Sequence, residues 1–196
     1  MKMRSFCWRC RKAKTTCYCE SIRSFKTNVK IVLLQHPSEA RMAIGTARMA
    51  HLCVENSLMI PGEEFSDNIP VARLLADTNN HCVVLFPGPD ATDIAETDAH
   101  GLADRKQLVI FVIDGTWQTA QKMLKRSPNL TALPRICFIP DRVSHYRIRR
   151  QPKEYCWSTI EAVHHVLSVL DPNIQAGNLL EVFNGMVEQQ IAFEQD

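Results

Sequence analysis

Three short apolar runs, each followed at once by loop-forming residues, most strongly limit how this chain can fold. Each run has five or six residues and is rich in Val, Ile, Leu and Phe, a composition typical of strands that are buried on both faces of a sheet. The runs and the residues that follow them are 29–34 before Gln35-His36-Pro37, 82–86 before Pro87-Gly88-Pro89-Asp90, and 108–113 before Asp114-Gly115. We therefore predict three central strands.

Helical patterns alternate with these runs, and Ser38 is the predicted N-cap of the first helix. The predicted helices run from Glu39 to about Val54, after Asp114, after Ser158, and from about Asn178 to the C-terminus. A further strand is predicted at 136–139, and the polar, acidic stretch 90–106 is predicted to be a mobile surface loop. Strands that alternate with helices imply an α/β protein with a mostly parallel sheet covered by helices on both faces.

In open sheets of this kind, ligands bind beyond the carboxyl ends of the strands. The candidate functional residues are therefore those that directly follow the apolar runs, and Gly88 and Gly115 would let a ligand approach the backbone closely. The sequence contains neither G-x-G-x-x-G nor G-x-x-x-x-G-K-[ST]. Dinucleotide-binding folds and P-loop NTPases are thus disfavoured.

The eight cysteines fall into two sets. Cys7, Cys10, Cys17 and Cys19 form a C-x2-C-x6-C-x-C cluster, whereas Cys53, Cys82, Cys137 and Cys156 lie in apolar surroundings and are interpreted as small buried residues. Two close cysteine pairs can supply the four sulfur ligands of a structural zinc. A redox dithiol and an iron–sulfur cluster are the alternatives, ranked lower because no thioredoxin-like βαβ pattern surrounds the cluster. We predict a zinc-binding segment at 1–28 and an α/β catalytic domain at 29–196.

Positive charge is concentrated at the N-terminus, although the whole chain of 196 residues carries only +2. Residues 1–30 contain nine Lys or Arg and one acid, Glu20, for a local charge of +8. A second basic cluster consists of Arg142, Arg147, Arg149, Arg150 and Lys153. Basic segments attract RNA by releasing its counterions, and the alternative is two solvated surfaces.

No apolar run is long enough to span a bilayer, and the N-terminus has no continuous apolar stretch of a secretory signal. We expect a cytoplasmic protein that does not contact a membrane. We also expect a monomer, with a dimer as the alternative.

The chain resembles the DTW-domain family at Asp114-Gly115-Thr116-Trp117, which matches the family's Asp-x-Thr-Trp signature at the end of an apolar strand. The cysteine cluster, His36-Pro37-x-Glu39, Thr46 and Ser158-Thr159-x-Glu161-Ala162 also match the family's pattern, in the family's order. The resemblance extends from Cys7 to about Ala162, and so many spaced matches make coincidence improbable.

This resemblance implies a tRNA-uridine aminocarboxypropyltransferase. Such an enzyme moves the 3-amino-3-carboxypropyl group of S-adenosylmethionine to N3 of a uridine, here expected at position 47 in the variable loop, and releases 5′-methylthioadenosine. The resemblance also implies a SPOUT-like C-terminal knot that holds the cofactor. The expected partners are tRNA and S-adenosylmethionine, with no role for DNA.

The resemblance further implies the roles of individual residues. Asp114 is the candidate catalytic residue, and His36, Glu39 and Thr46 are second-tier site residues. The candidate cofactor-binding residues are Leu85, Pro87, Gly88, Asp114, Gly115, Thr116, Trp117, Ser158 and Thr159. The candidate RNA-binding residues are Arg9, Arg11, Lys12, Lys14, Arg147, Arg149 and Arg150.

Several of these roles have alternatives that the sequence leaves open. Asp114 is either a general base for N3, a group that binds or orients a substrate, or the N-cap of the following helix. Trp117 either stacks on a base or packs in the core, and the hydroxyls of Thr116, Ser158 and Thr159 either contact the cofactor or cap helices. The late arginines fit phosphate or the carboxylate of the transferred group.

Two other functions remain as alternatives to the aminocarboxypropyl transfer. One is a methyltransferase of the SPOUT class, which uses the same donor. The other is a non-catalytic zinc-ribbon protein that binds RNA.

Overall fold

A parallel sheet forms the centre of the computed structural model, which describes residues 5–42, 44–96, 106–146, 148 and 156–195. In these residues the sheet has six strands in the order β4-β3-β7-β5-β8-β6, and every neighbouring pair is parallel. Its strands are β3 (Lys30–Gln35), β4 (Leu58–Pro61), β5 (Asn80–Leu85), β6 (Ala91–Asp93), β7 (Gln107–Asp114) and β8 (Arg135–Cys137). A separate antiparallel pair, β1 (Phe6–Cys7) and β2 (Lys12–Ala13), lies at the N-terminus.

Helices cover both faces of this sheet. They are α1 (Pro37–Arg41), α2 (Ala47–Cys53), α3 (Ile69–Ala76), α4 (Trp117–Arg126), α5 (Pro128–Thr131), α6 (Thr159–Leu170) and α7 (Gly177–Gln195). Successive strand side chains point to opposite faces, so Ile31 and Leu33 pack with α2, α6 and α7, whereas Val32 and Leu34 pack with α3 and α4. The predicted α/β class with a mostly parallel, doubly covered sheet is confirmed.

The segment after the first strand differs from the single helix predicted for 39–54. It forms two helices, because Met42 adopts an extended backbone with φ −66° and ψ 131° and so ends α1. The N-cap of α1 is His36 rather than Ser38, since the His36 side chain accepts a hydrogen bond from the Ser38 backbone N–H.

The sequence patterns missed the strands β1, β2, β4 and β6 and the helices α3 and α5. Strand β4 and helix α3 were not predicted, because β4 is a short edge strand ending in Pro61 and α3 contains Pro70 in its first turn, after the Asn68 cap. Within the predicted loop 90–106, residues Ala91–Asp93 pair with β8 as an edge strand, and residues 97–105 lie outside the described part of the chain.

The N-terminal segment packs on the same core as the sheet. Cys10, Tyr18 and Ile22 are buried in one apolar cluster with α2, α6 and α7. The buried Asp171 carboxylate, at the end of α6, accepts hydrogen bonds from the Thr27 hydroxyl at 2.9 Å and the Asn28 backbone N–H at 2.8 Å. The segment is thereby held against the end of α6 and the core that α6 covers.

Four connections between strands of this sheet skip over other strands, and two of them, from β4 to β5 and from β6 to β7, each skip two strands. The chain crosses β8 on its way from β5 to β6, and it crosses β5 on its way from β7 to β8.

In the described part of the chain, no helix combines the length and the apolar composition needed to traverse a bilayer.

Candidate active site and metal centre

Asp114 lies where the two central strands β3 and β7 end. It is paired in register with Gln35, the last residue of β3. The Gln35 amide donates a hydrogen bond to Asp114 Oδ2 at 2.9 Å, and the Thr159 hydroxyl donates one to Asp114 Oδ1 at 2.6 Å. The Asp114 residue is 4% exposed, and side chains from two other elements, β3 and α6, fix its carboxylate at the carboxyl edge of the sheet.

The alternative that Asp114 is a helix cap is wrong. Thr116 caps α4, because its hydroxyl oxygen accepts a hydrogen bond from the Thr119 backbone N–H at 3.2 Å. The Asp114 carboxylate instead points to β3 and to the start of α6. Asp114 therefore does not start α4.

Trp117 begins α4 and remains half-exposed, at 51%. Its ring stacks nearly parallel on Phe86, with centroids 4.8 Å apart and an angle of 11° between the ring planes. The alternative of a buried packing role is therefore wrong for Trp117. Phe86, which follows β5 and was not predicted as a site residue, provides the support for this aromatic surface.

The glycines at this edge are explained by contacts within the protein. A Cβ added at Gly115 would lie 2.6 Å from the Thr119 hydroxyl oxygen, and one at Gly88 would lie 3.0 Å from the Arg135 guanidinium. The space beside both glycines is thus filled by side chains of the protein itself. Leu85, the last residue of β5, is half-buried, and Pro87 is exposed.

Ser158 and Thr159, at the start of α6, have different hydrogen-bond partners. Ser158 is buried, and both its backbone N–H and its hydroxyl donate to Glu161 Oε2, at 2.8 and 2.6 Å. The hydroxyl hydrogen of Ser158 is therefore used in starting α6, whereas the hydroxyl of Thr159 is directed at Asp114.

Glu161 also holds the segment before α6 in place. Its carboxylate accepts hydrogen bonds from the Ser144 hydroxyl at 2.7 Å and from the His145 backbone N–H at 2.8 Å. The predicted ligands Arg147, Arg149 and Arg150, together with Lys153 of the same basic cluster, lie outside the described residues.

The second-tier residues lie in the segment that follows β3. His36 caps α1, and its Nε2 lies 3.7 Å from Glu63 Oε1. Glu39 and Thr46 are buried polar residues at the start of the α1 and α2 segments. Glu39 and Gln35 line a cavity of about 100 Å³, which lies between the catalytic edge and the N-terminal cysteine cluster.

The four cysteine sulfurs of the N-terminal segment converge on one point. All four Sγ atoms lie within 4.8 Å of one another. The Cys7 and Cys19 sulfurs are 3.7 Å apart, and the Cys10 and Cys17 sulfurs are 3.6 Å apart. Four sulfurs at about 2.3 Å from a tetrahedral zinc are separated by about 3.8 Å, so the cluster has the dimensions of a metal site.

The backbone of the C-x2-C turn is shaped for this arrangement. Arg11 has a positive φ of 59°, and its N–H donates to the Cys7 carbonyl at 2.7 Å. A non-glycine residue with positive φ is held there by its surroundings. The backbone N–H of Cys10 lowers the pKa of Cys7 to about 6, while burial raises the pKa of Cys10.

The four remaining cysteines are free thiols, as are those of the cluster. Cys53 is buried, and burial raises its pKa to about 11. Cys82, Cys137 and Cys156 are only half-buried, because they lie near strand ends and loops rather than in the core. The prediction that all four are buried is therefore correct for Cys53 alone.

The predicted RNA-binding residues of the N-terminus surround the cysteine cluster. Arg9, Arg11 and Lys14 are exposed, and Lys12 is half-buried. Arg48 of α2 secures the turn by donating two hydrogen bonds to the Arg9 carbonyl, at 3.0 and 2.8 Å.

Both the Asp-x-Thr-Trp edge and the cysteine cluster lie within the range of this chain that a protein-family model matches. The DTW domain model matches residues 4–191, which is almost the whole chain. The chain belongs to the DTW-domain family. The resemblance inferred from the signature residues is thereby confirmed.

This DTW-domain protein is similar to curated proteins from animals and plants. It is 29% identical to tRNA-uridine aminocarboxypropyltransferase 2 of Drosophila melanogaster, over 95% of this chain and 79% of the fly protein. It is 27% identical to the mouse protein of the same name, over 85% of this chain and 57% of the mouse protein. It is 26% identical to tRNA-uridine aminocarboxypropyltransferase A of Arabidopsis thaliana, over 95% of this chain and 81% of the plant protein. No solved structure shows a significant match.

Three features of the DTW-domain site were not assigned from the sequence. These are the Gln35 hydrogen bond to Asp114, the support of Trp117 by Phe86, and the network around Glu161. Gln35 and Phe86 directly end or follow apolar strands, which is the position where site residues were expected. Only the parallel register reveals which of those residues meet.

Proposed function

We propose that this DTW-domain protein is a tRNA-uridine aminocarboxypropyltransferase that uses S-adenosylmethionine as the donor. The named relatives support the reaction, since they match this chain over 85 to 95% of its length. The observation that carries the proposal is a buried carboxylate, Asp114, fixed at the same sheet edge as the half-exposed Trp117.

The donor supplies an electrophilic carbon next to a positively charged sulfur. In the transfer, a bond forms between uridine N3 and this carbon, the carbon–sulfur bond breaks, and the sulfur leaves as the neutral thioether of 5′-methylthioadenosine. The leaving group needs no proton. The N3 proton of the uridine must be removed, so the protein has to provide a base.

Asp114 is the residue that we assign to this base. The Gln35 amide and the Thr159 hydroxyl both donate hydrogen bonds to its carboxylate, so these two side chains hold the carboxylate oxygens in place. Restricting the carboxylate to one orientation also lowers the cost of aligning it with N3.

The substrates are expected on the open side of this edge, next to Trp117. The cavity of about 100 Å³ on the other side of Gln35 is smaller than the roughly 300–1,000 Å³ of ordinary ligand pockets. The exposed part of the Trp117 ring offers a stacking surface for adenine or for the uridine base. Thr116 and the late arginines remain candidate contacts for the donor.

We further propose that Cys7, Cys10, Cys17 and Cys19 bind a structural zinc. The sulfur separations agree with tetrahedral coordination, and a metal would tie the Cys17–Cys19 segment to the C-x2-C turn. Within this proposal, 1–28 is the zinc-binding segment and 29–196 is the catalytic domain.

The SPOUT-like knot and a cytoplasmic location also remain proposals. The knot rests on the family resemblance alone. A sheet with its ligand edge at the carboxyl ends is compatible with a donor site there.

Replacing Asp114 by Asn tests the activity. The amide keeps the size of the side chain but is a very weak base, so we expect the rate of transfer to fall by a factor of about 10² to 10⁴. The measurements are methylthioadenosine release and mass spectrometry of the nucleosides from the tRNA product. Asp67→Asn, at an exposed position, is the matched control and should retain full activity.

The products also separate the proposed reaction from its alternatives. Methyl transfer would release S-adenosylhomocysteine instead of methylthioadenosine, and a non-catalytic RNA-binding protein would bind no S-adenosylmethionine. Full activity of folded Asp114→Asn protein would remove Asp114 from the chemistry.

A further inference from the structure

Trp8 is the most exposed large apolar side chain in the part of the chain that the structure describes, at 83%. It lies inside the C-x2-C turn, between Cys7 and Cys10. An indole in this position contributes little to the core, and leaving it in water gives up the stabilisation that burial would provide. Neither the fold nor the proposed metal site requires a tryptophan there.

The turn that carries Trp8 is held from several directions. The Phe6 ring meets the Trp8 ring edge-to-face, with centroids 5.1 Å apart and planes at 77°. Strands β1 and β2 pair on either side of the turn, and the Arg48 guanidinium donates two hydrogen bonds to the Arg9 carbonyl. The indole is therefore presented on a fixed support, which reduces the entropy lost when a ligand stacks on it.

The surroundings of Trp8 are strongly basic. Among the described residues, no carboxylate forms an ion pair with Arg9, Arg11 or Lys14. Residues 1–30 carry a net charge of +8 from Lys, Arg and Glu, which becomes about +6 once the proposed zinc and its four thiolates are included. A partner for this surface should thus be an anion with a flat aromatic group, which is the chemistry of an unpaired nucleotide.

The same surface adjoins the catalytic edge. Arg11 and Lys12 line the cavity of about 100 Å³ together with Gln35, and the Gln35 amide binds Asp114. An RNA strand held at the cysteine cluster would therefore lie next to the edge where the uridine must react.

We propose that Trp8 is a stacking platform for an unpaired base of the tRNA, with the arginines of the turn contacting the adjacent phosphates. This inference rests on the proposed function, because it takes tRNA as the substrate. It extends that function because it gives the C-x2-C turn a specific role: the turn binds RNA by base stacking as well as by charge.

The test compares Trp8→Ala with Trp8→Tyr, which retains an aromatic face. Loss of one stacked base costs about 1–3 kcal/mol, so the Kd of Trp8→Ala for unmodified tRNA should rise about 5- to 150-fold. Trp8→Tyr should stay within a few-fold of the original protein. The kcat at saturating tRNA and the affinity for S-adenosylmethionine should not change. Ile139→Ala, at another highly exposed apolar position, is the matched control.

Salt dependence separates stacking from charge. Trp8→Ala removes no phosphate contact, so the slope of log Kd against log salt should stay the same, whereas Arg9→Gln should lower the slope by about one. Bound zinc and the melting temperature should match the original protein in both variants, which shows that the turn is intact.

Several results would overturn the proposal. These are unchanged tRNA binding by Trp8→Ala, binding by Trp8→Tyr as weak as that of Trp8→Ala, or Trp8-dependent adsorption to phosphatidylserine vesicles without an effect on tRNA. The binding assay needs no turnover, so the proposed function is judged separately. If the original protein forms the aminocarboxypropyl product and Trp8→Ala binds tRNA normally, only the stacking role of Trp8 is refuted. If the original protein forms no product but its tRNA binding depends on Trp8, only the proposed reaction is refuted.

Discussion

The hydrogen bond between Thr159 and Asp114 offers a direct way to test how the carboxylate is positioned. In Thr159→Val, a methyl group replaces the hydroxyl at almost constant volume. The variant removes the donor that lies 2.6 Å from Asp114 Oδ1 and leaves the Gln35 hydrogen bond at 2.9 Å in place. The first helical turn does not depend on this hydroxyl, because Ser158 and Glu161 form the start of α6.

The size of the effect follows from the charge and burial of the acceptor. A hydrogen bond to a charged group contributes about 1.5–3 kcal/mol, and Asp114 is almost completely buried, so water cannot readily replace the lost donor. If this contribution is lost from the transition state, kcat/KM should fall about 10- to 150-fold. Because Thr159 acts through Asp114, the loss should appear in kcat, with little change in the KM for tRNA.

The assay measures methylthioadenosine release over a range of tRNA concentrations, together with thermal unfolding. Thr159→Ser is the matched control, since it retains the hydroxyl, and it should recover most of the activity. A kcat/KM of Thr159→Val within twofold of that of Thr159→Ser would refute the argument that this hydroxyl positions the carboxylate.

Two further predictions concern the metal cluster and the segment before α6. Cys10→Ser should bind less than one equivalent of zinc and should have a less stable N-terminal segment, because a thiolate ligand is lost. Metal analysis and thermal unfolding measure these two effects. A full equivalent of zinc in this variant would contradict the four-cysteine ligand set. Glu161→Ala removes the acceptor of four hydrogen bonds and should lower the free energy of unfolding by about 3 kcal/mol or more, measured with urea. Glu181→Ala, at an exposed position of α7, should change it by at most about 0.5 kcal/mol, and equal effects of the two variants would refute the role assigned to Glu161.

Elements with a strong and uninterrupted pattern could be predicted from the sequence. The strands β3 and β7 contain long apolar runs with both faces buried, and β5 ends in a shorter apolar run that is partly buried. Helices α4, α6 and α7 follow recognisable starts. The edge strands β4 and β6 could not be predicted, because a short strand with partial burial has no distinctive apolar run.

The local chemistry of helix starts was harder to assign than their approximate position. Thr116 is the cap of α4, although Asp114 was equally plausible from residue type, and His36 is the cap of α1, although serine at position 38 is the more usual cap type. Each of these residues lies within two positions of the true cap, where Ser, Thr, Asp and Asn have similar preferences. Only the backbone direction determines which side chain reaches the first free N–H groups.

The sequence by itself determined the α/β class, the cysteine cluster and the Asp-x-Thr-Trp edge, because these depend on apolar periodicity, on ligand spacing and on a short contiguous motif. The tertiary structure decided which distant residues meet at that edge. Gln35 and Thr159 are separated by more than a hundred positions in the chain, yet both bind Asp114, since the parallel register of β3 and β7 and the packing of α6 bring them together. It also decided that Trp8 remains in solvent while Phe86 supports Trp117, because the exposure of a side chain depends on what the rest of the chain packs around it.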